Sequence, residues 1–533
     1  MHFTPPCSFA GNNTPAHLDP RRVEYIKSGA MLNQIDMGDY QPLRSDDAHT
    51  NNHVPVHNKP TVYYSKPMSP LRKLAFGCSI LLCFITIVVF LWVVPCDWSK
   101  CPAKTQRQPI MSWDRSVEGM EIMGPLKVVR GLQGLNIVAM YRGPMLAYDG
   151  ARDQFLPKAG GLISFIGASG LIAWFRKLPL LTHLDCFMLH IGDESMQDCL
   201  VRGEHGYLAL IDSLSGIAKW RAQKTIGDQL LVDVSFPVVT PDVDGDWYHD
   251  LAVTGRLENR NHRIIAIISG QTGYIMGKPM EVEGCTDINN LTLDRDYTLY
   301  YTCKNSTSKL FSERQVALVN AVQMMTNRSV VPHGTVPVTT RHLGNEWSVN
   351  GYRLNLVNSG HSPSDYQVSV TVTDHNNQSV WSPTMQQTYA MTPVVLHFQQ
   401  AISGFLLKFW YWHAPHDQKK DKEGNIMNSL SERVVLVTFN ATGSTHIVNA
   451  SQTDIVQLCS NRTCQPELSS QTESLLIVDL DEDGSQELIS YLVTFQPREK
   501  SAPALPLWKL QTKLRLIRLE SELPKLYEAI QRH

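Results

Sequence analysis

Two segments hold carboxylates at a spacing that coordination chemistry can use: DVDGDWYHDLAV, from Asp242 to Val253, and DLDEDGSQELIS, from Asp479 to Ser490. Both read acid-x-acid-x-acid-x-x-x-acid-Leu. In a tight loop, alternate residues turn their carboxylates toward one centre, and the ninth residue closes it from the other side. Like charges about 5 Å apart repel by roughly 3 kcal/mol per pair at an effective dielectric of about 20, so such a loop favours a cation. Oxygen donors in adaptable geometry suit Ca2+ better than zinc or magnesium. The expected ligands in the first loop are Asp242, Asp244, Asp246 and Asp250, with the backbone carbonyl of Tyr248. In the second they are Asp479, Asp481, Asp483 and Glu487, with the carbonyl of Ser485. The alternative is a solvated acidic turn. A melting temperature that rises with calcium, and no longer does so in Asp481→Ala, separates the two.

The elements that must carry these loops have a β texture: short β-branched and aromatic runs punctuated by Gly, Asn and Ser. Three runs share a pattern of apolar strand, turn ending in Ser/Thr-Gly, and second strand. They are ISFIGASGLIAWF (Ile163 to Phe175), LALIDSLSGIAKW (Leu208 to Trp220) and IAIISGQTGYIMG (Ile265 to Gly277). Gly170, Gly216 and Gly273 mark turns that need a positive φ. Fainter echoes follow at Val316 to Ser329, Val370 to Trp381 and Val434 to Val448, and LPLWKLQTKLRLIRL supplies a last half-buried strand around Trp508 to Leu516. A four-stranded propeller blade plus insertions fits that spacing, and radial closure leaves only short protected sheet edges. The expected fold is all-β, a seven-bladed β-propeller ectodomain over residues 122–520, with one transmembrane helix and a disordered N-terminal tail. A pair of β-sandwiches is the competing architecture.

The membrane reading comes from LAFGCSILLCFITIVVFLWVV, Leu74 to Val94, twenty-one residues without charge or proline. At about 1.5 Å per residue such a helix covers roughly 30 Å of hydrocarbon. It lies too far along the chain and ends in residues too bulky for a cleaved signal peptide. Residues 1–73, rich in Pro, Asn, His and Asp, read as a disordered cytosolic tail. Within it Tyr40-Gln41-Pro42-Leu43 resembles the Y-x-x-apolar signals bound by clathrin adaptors. Residues 95–121 read as a stem and 521–533 as a C-terminal extension. The basic residues flanking the run lean only slightly toward a cytosolic N-terminus.

Acceptor sequons decide more: N-x-S/T occurs after the run at Asn290, Asn305, Asn327, Asn377, Asn440, Asn449 and Asn461, against Asn12 before it. Eight of the eleven cysteines also follow it: Cys96, Cys101, Cys186, Cys199, Cys285, Cys303, Cys459 and Cys464. Their close pairs suit neighbour-to-neighbour disulfides in an oxidising compartment, though sequence leaves the connectivity open. Together these place the large domain outside the cytosol, a single-pass type II arrangement at the plasma membrane or in secretory or endosomal membranes. A formal charge of −2 excludes the basic field of a nucleic-acid binder.

The acidic loops resemble the FG-GAP repeats of integrin α-subunit propellers, whose nine-residue calcium loops join the first two strands of a blade. The second loop matches fully, Gly484 included; the first carries Trp247 where that pattern has glycine. GDESMQDCLV (Gly192 to Val201) and LDRDYTLYY (Leu293 to Tyr301) sit in comparable places but lack enough acids, and read as loops without metal. The layout as a whole is similar to the single-pass, FG-GAP-containing "family with sequence similarity 234". That resemblance implies a luminal propeller on one span and no established activity.

No hydrolase signature accompanies the propeller. Gly360-His361-Ser362-Pro363-Ser364 lacks the closing glycine of GxSxG, and HExxH, Walker A and GxGxxG are missing. The function expected is therefore a glycosylated, calcium-stabilised binding protein, receptor-like or trafficking, whose partner is a luminal or extracellular protein or glycan. A membrane-tethered, quinoprotein-like or other propeller enzyme is the alternative, and an absorbance spectrum of the purified ectodomain discriminates them. In a four-stranded blade the turns joining strands one to two and three to four leave on one rim. Asn327, Asn377 and Asn440, read as lying in the latter turns, would then share a face with the metal loops and leave the opposite face for a partner.

Overall fold

The computed structural model describes residues 69–88 and, with short undescribed segments of which 145–159, 335–345 and 498–507 are the longest, residues 109–519. The chain divides into two compact units, Met1–Cys101 and Pro102–His533. In the first, a helix spans Pro70–Val88. Proline at its first position lacks only an N–H that would be unpaired there anyway. Of the expected span Leu74 to Val94, residues 89–94 lie outside the described residues. Among the described residues no helix is long and apolar enough to cross a membrane. Tyr40, Leu43, Cys96, Cys101 and the extension 521–533 also lie outside them.

The second unit has an all-β architecture, with seven sheets among the described residues. Six have four or more strands, whereas the sheet Cys285–Leu293, Thr298–Asn305 and Phe311–Ala317 has three. The expected wheel of seven equivalent blades is thus corrected to six full blades and one three-stranded sheet. The reason is local. Val316 to Ser329, expected to turn into a fourth strand, instead runs into a helix, Leu318–Thr326. Leu318, Ala321, Val322 and Met325 recur at helical spacing and are buried, and Asn327 ends the helix in the left-handed region at φ 56°.

Closure uses both ends of the unit. The strand Trp113–Glu118, within the segment read as stem, pairs antiparallel with Trp508–Arg518, from Trp113 opposite Leu516 to Glu118 opposite Gln511. The propeller therefore starts before residue 122. Trp508–Arg518 in turn pairs Glu487–Pro497, and that strand pairs Leu475–Val478. A buried cluster containing Ile122, Ile137, Phe165, Ile489, Tyr491, Leu514 and Leu516 packs this closing blade on the first.

Successive blades are joined by a repeated tryptophan contact. Trp113 Nε1 donates to the Gly167 carbonyl at 2.9 Å, Trp174 Nε1 to Ser213 at 3.0 Å and Trp220 Nε1 to Gly270 at 2.8 Å. Each indole lies against the turn glycine of the next blade. A Cβ on Gly170, Gly216 or Gly273 would come within 2.5 to 2.6 Å of Trp113, Trp174 or Trp220, and each glycine has φ near +70°. Two requirements, a left-handed turn and a ring beneath it, thus select glycine at these positions. The series ends at the third blade, where Gly277 stands in place of tryptophan and lies under the backbone of Met325 in the helix.

Among the described residues three disulfides cross-link neighbouring strands or turns: Cys186–Cys199, Cys285–Cys303 and Cys459–Cys464. They follow the expected nearest-neighbour pairing.

Candidate functional site

The first acidic loop connects Val238–Thr240 to Asp250–Leu257 in the third blade, and the second connects Leu475–Val478 to Glu487–Pro497 in the closing blade. The second loop joins the first two strands of its blade, as expected, whereas Thr225–Ile226 and Gln229–Val232 precede Val238–Thr240 in the sheet that holds the first; the two loops are otherwise alike. Their backbones coincide in detail. In the first, the Trp247 N–H donates to Asp242 at 2.9 Å and the Tyr248 N–H to Asp246 at 2.9 Å. In the second, the Gly484 N–H donates to Asp479 at 2.9 Å and the Ser485 N–H to Asp483 at 2.8 Å. Trp247 (φ 72°) and Gly484 (φ 89°) share the left-handed conformation, so the tryptophan does not alter the turn. Its ring is 88% exposed and stacks on His333 at 6.4 Å, while Asp242 and His333 exchange two backbone hydrogen bonds.

Asp242, Asp244 and Asp246 each offer an oxygen within 4.8 Å of the others, and so do Asp479, Asp481 and Asp483. Asp250 and Glu487, expected as closing ligands, stand outside these groups. The Asp250 carboxylate accepts from the Val243 N–H at 2.8 Å and the Gly270 N–H at 3.0 Å, and Glu487 accepts from the Leu480 N–H at 2.8 Å. Both are fully buried and fasten the loop to its own blade. Burial, then the neighbouring Asp244 and Asp246, push Asp250 up to about 7 against its backbone hydrogen bonds. Glu487 is pushed up to about 7 as well, by burial and then by Asp481 and Asp479.

The two loops differ in the charge that faces them. In the closing blade the Arg518 guanidinium reaches Asp483 at 2.5 Å and Asp481 at 3.5 Å, and the Ile110 N–H donates to Asp481 at 2.7 Å. Against burial, which works the other way, the Ser485 N–H and Arg518 hold Asp483 below its ordinary value. In the second blade, Asp198 occupies a place like that of Asp250, accepting from the Ile191 N–H at 2.9 Å, and pairs with Lys219 at 2.8 Å. No Lys or Arg pairs with Asp242, Asp244 or Asp246 among the described residues. Arg518 stands opposite Glu487 in the strand register; the equivalent place opposite Asp250, one step beyond Leu251 opposite Ile268, holds Ser269, whose hydroxyl donates to Asp246 at 3.4 Å. Burial, with Asp244 and Asp242 adding to it, keeps the Asp246 carboxyl above its ordinary range. A cavity of about 720 Å³ opens beside this loop, between Asp244 and Gly245 on one side and Arg328 and His333 on the other. Sequence reading missed Arg518 and Lys219, since sequence distance hides which strand ends face a loop.

Of the sequons, Asn377 is exposed in the turn between Gln367–Thr373 and Ser379–Trp381, as expected, and Asn440 lies outside the described residues between two strands of the sixth blade. Asn327 caps a helix instead of a strand turn, although Thr326 and Arg328 beside it line the cavity next to the first acidic loop. Asn290 and Asn449 are exposed on strands, Asn305 is half-buried at a strand end, and Asn461 lies outside the described residues. The Gly270 contact of Asp250 also shows that the acidic loop and the turn after Arg263–Ile268 leave the third blade on one rim.

The family described as FAM234A/B beta-propeller matches residues 158–334. FAM234B of Gallus gallus is 25% identical over 221 residues, 40% of this chain and 33% of that protein. FAM234A of Homo sapiens is 22% identical over 259 residues, 46% of this chain and 46% of that protein. The match thus spans less than half the length of these curated relatives. Among solved structures, BamB from Moraxella catarrhalis is 11% identical, covering 75% of this chain and 99% of that chain at a TM-score of 0.21. The expected resemblance to the family with sequence similarity 234 thus holds over residues 158–334, a segment that contains the first acidic loop, while the second acidic loop lies outside it.

Proposed function

We propose that this propeller is a membrane-anchored, glycosylated binding protein of the cell surface or the secretory and endosomal lumen, in which calcium stiffens a loop and performs no chemistry. One observation supports the calcium reading above the rest: loop 242–250 gathers three carboxylates without an internal cation, whereas comparable places in the second and closing blades hold Lys219 and Arg518. Asp242, Asp244 and Asp246, with the Tyr248 carbonyl, would hold the ion. When bound, it supplies the positive charge that the arginine supplies in the closing blade. The apolar run Leu74 to Val94 supports anchoring, and the seven sequons and paired cysteines beyond it support the luminal side. The tail, with Tyr40 and Leu43, then faces cytosolic adaptors, and the rim away from the acidic loops is the one offered to a protein or glycan partner.

Thermal unfolding of the full chain with calcium and with chelator tests this. At a calcium concentration of about one hundred times Kd, stability should rise by about 2.7 kcal/mol. The rise should vanish in Asp244→Asn and, contrary to the expectation from sequence, persist in Asp481→Asn, because Arg518 already faces that carboxylate. Arg518→Ser should make the closing blade respond to calcium as well. A wild type indifferent to calcium, or a response lost only in Asp481→Asn, overturns the assignment.

A further inference from the structure

A second cavity, of about 370 Å³, opens between the fifth and sixth blades and is lined by Trp381, Met385, Tyr411, Arg433, Ile447 and Asn449. Asn449 begins the sequon Asn449-Ala450-Ser451. We infer that the cavity is the seat of the N-glycan attached at Asn449, its first N-acetylglucosamine units packed along the Trp381 and Tyr411 rings. This rests on the luminal placement proposed above.

Three observations converge on that occupant. The first is chemical. One face of a pyranose is a plate of C–H bonds, and it packs on the electron-rich face of an aromatic ring. Trp381 and Tyr411 supply two such rings, both only partly buried. The Arg433 guanidinium, 5.5 Å from the centre of the Tyr411 ring, adds donors suited to hydroxyls and the acetamido carbonyl. The second is local geometry. The ladder between Ile426–Phe439 and Thr445–Ser460 shifts register between Val434 opposite Ser451 and Val435 opposite Asn449, leaving Ala450 unpaired inside the sequon. A bulge of this kind re-aims the flanking side chains, and here Asn449 lines the cavity.

The third is an edge. Thr463–Gln465 pairs only with Leu458, Cys459 and Ser460, and the Val456 N–H donates to the Thr494 hydroxyl of the closing blade, so among the described residues the part of this edge with no strand paired on its outer side, and mostly exposed, is Thr445–Asp454. Ile447 and Val448 are exposed there, at 46% and 40%. An open edge that exposes apolar side chains invites pairing with another chain, and proteins cover such edges. A glycan folded back into the cavity does so at the residue where the edge is most apolar.

The test uses the full chain made in a secretory host, with glycopeptide mass spectrometry and native enzymatic deglycosylation at Asn449 and, as an internal control, at solvent-facing Asn377. Asn449 should be occupied and released about fivefold more slowly than Asn377. Denaturation, or Trp381→Ala, should equalise the two rates. Ser451→Ala removes the sugar without touching the cavity, and hydroxyl-radical labelling of Trp381 and Met385 should then rise severalfold. Asn449 bare with Asn377 occupied overturns the inference and leaves the luminal reading intact; both bare overturn the two together. Equal native release rates, or labelling unchanged in Ser451→Ala, overturn the inference alone.

Discussion

Lys408 is fully buried, its ammonium 2.7 Å from the Glu432 carboxylate and donating at 2.6 Å to the Tyr491 carbonyl across the boundary with the closing blade. Glu432 also accepts from Trp410 Nε1 at 3.3 Å. Removing one member of such a pair strands the other charge without water. Lys408→Met should therefore cost about 3 to 5 kcal/mol, and the double change Lys408→Met with Glu432→Gln should recover most of it. Burial pulls the lysine below its ordinary 10.5 and Glu432 only partly opposes this. The unfolded chain then holds this proton to higher pH than the folded one, so in the window just below 10.5 the wild type gains stability on the double variant as pH rises. Denaturant midpoints at several alkaline pH values measure it, and a difference that shrinks over that window contradicts the argument. Lys408 interrupts the apolar run Phe405 to Trp412, a mark of a strand buried on both faces that the sequence reading passed over. The acidic loops were legible because alternate carboxylates are a local pattern; Arg518 was not, because only strand register brings it opposite residue 487.

Between blades, the recurring unit is a tryptophan under a glycine turn. Trp174→Ala would empty the space beneath Gly216 and leave the Ser213 carbonyl without its indole donor, at a cost of about 3 to 5 kcal/mol. Trp247→Ala, at an exposed ring, should stay within about 0.5 kcal/mol. Urea unfolding of both variants decides it; equal losses would mean that the latch is ornamental. The turns ending in Ser/Thr-Gly were visible in the first three repeats and lie where the sequence placed them, whereas the tryptophan four residues after the glycine in the first two was not singled out. The fourth repeat was misread although its helical spacing, Leu318 to Ala321, Val322 and Met325, is also in the sequence. A run of nine residues between strand-like neighbours satisfies either period, and packing against the third blade selects the helix.

At the level of the whole unit, propeller closure was anticipated from the need to protect sheet edges, but the closing partner was not. Trp113–Glu118 reads as a polar stretch of stem, since its outward residues Asp114 and Arg115 are exposed and its pairing partner lies near the other end of the chain. Deleting residues 1–118 should expose the edge of Trp508–Arg518 and yield protease-sensitive, self-associating material. Deletion of residues 1–108 should leave a compact monomer, as size-exclusion chromatography would show.

That closure sets a timetable for synthesis. Glu118 meets Lys509 across a separation of 391 residues, so the opening strand leaves the ribosome long before its partner exists. At about 5 to 20 residues per second the wait is on the order of half a minute. Over that interval Trp113–Glu118 has no lawful mate, while the strands of the first three blades zip locally. Until the final blade emerges, this ribbon keeps an unpaired edge open to a neighbouring chain.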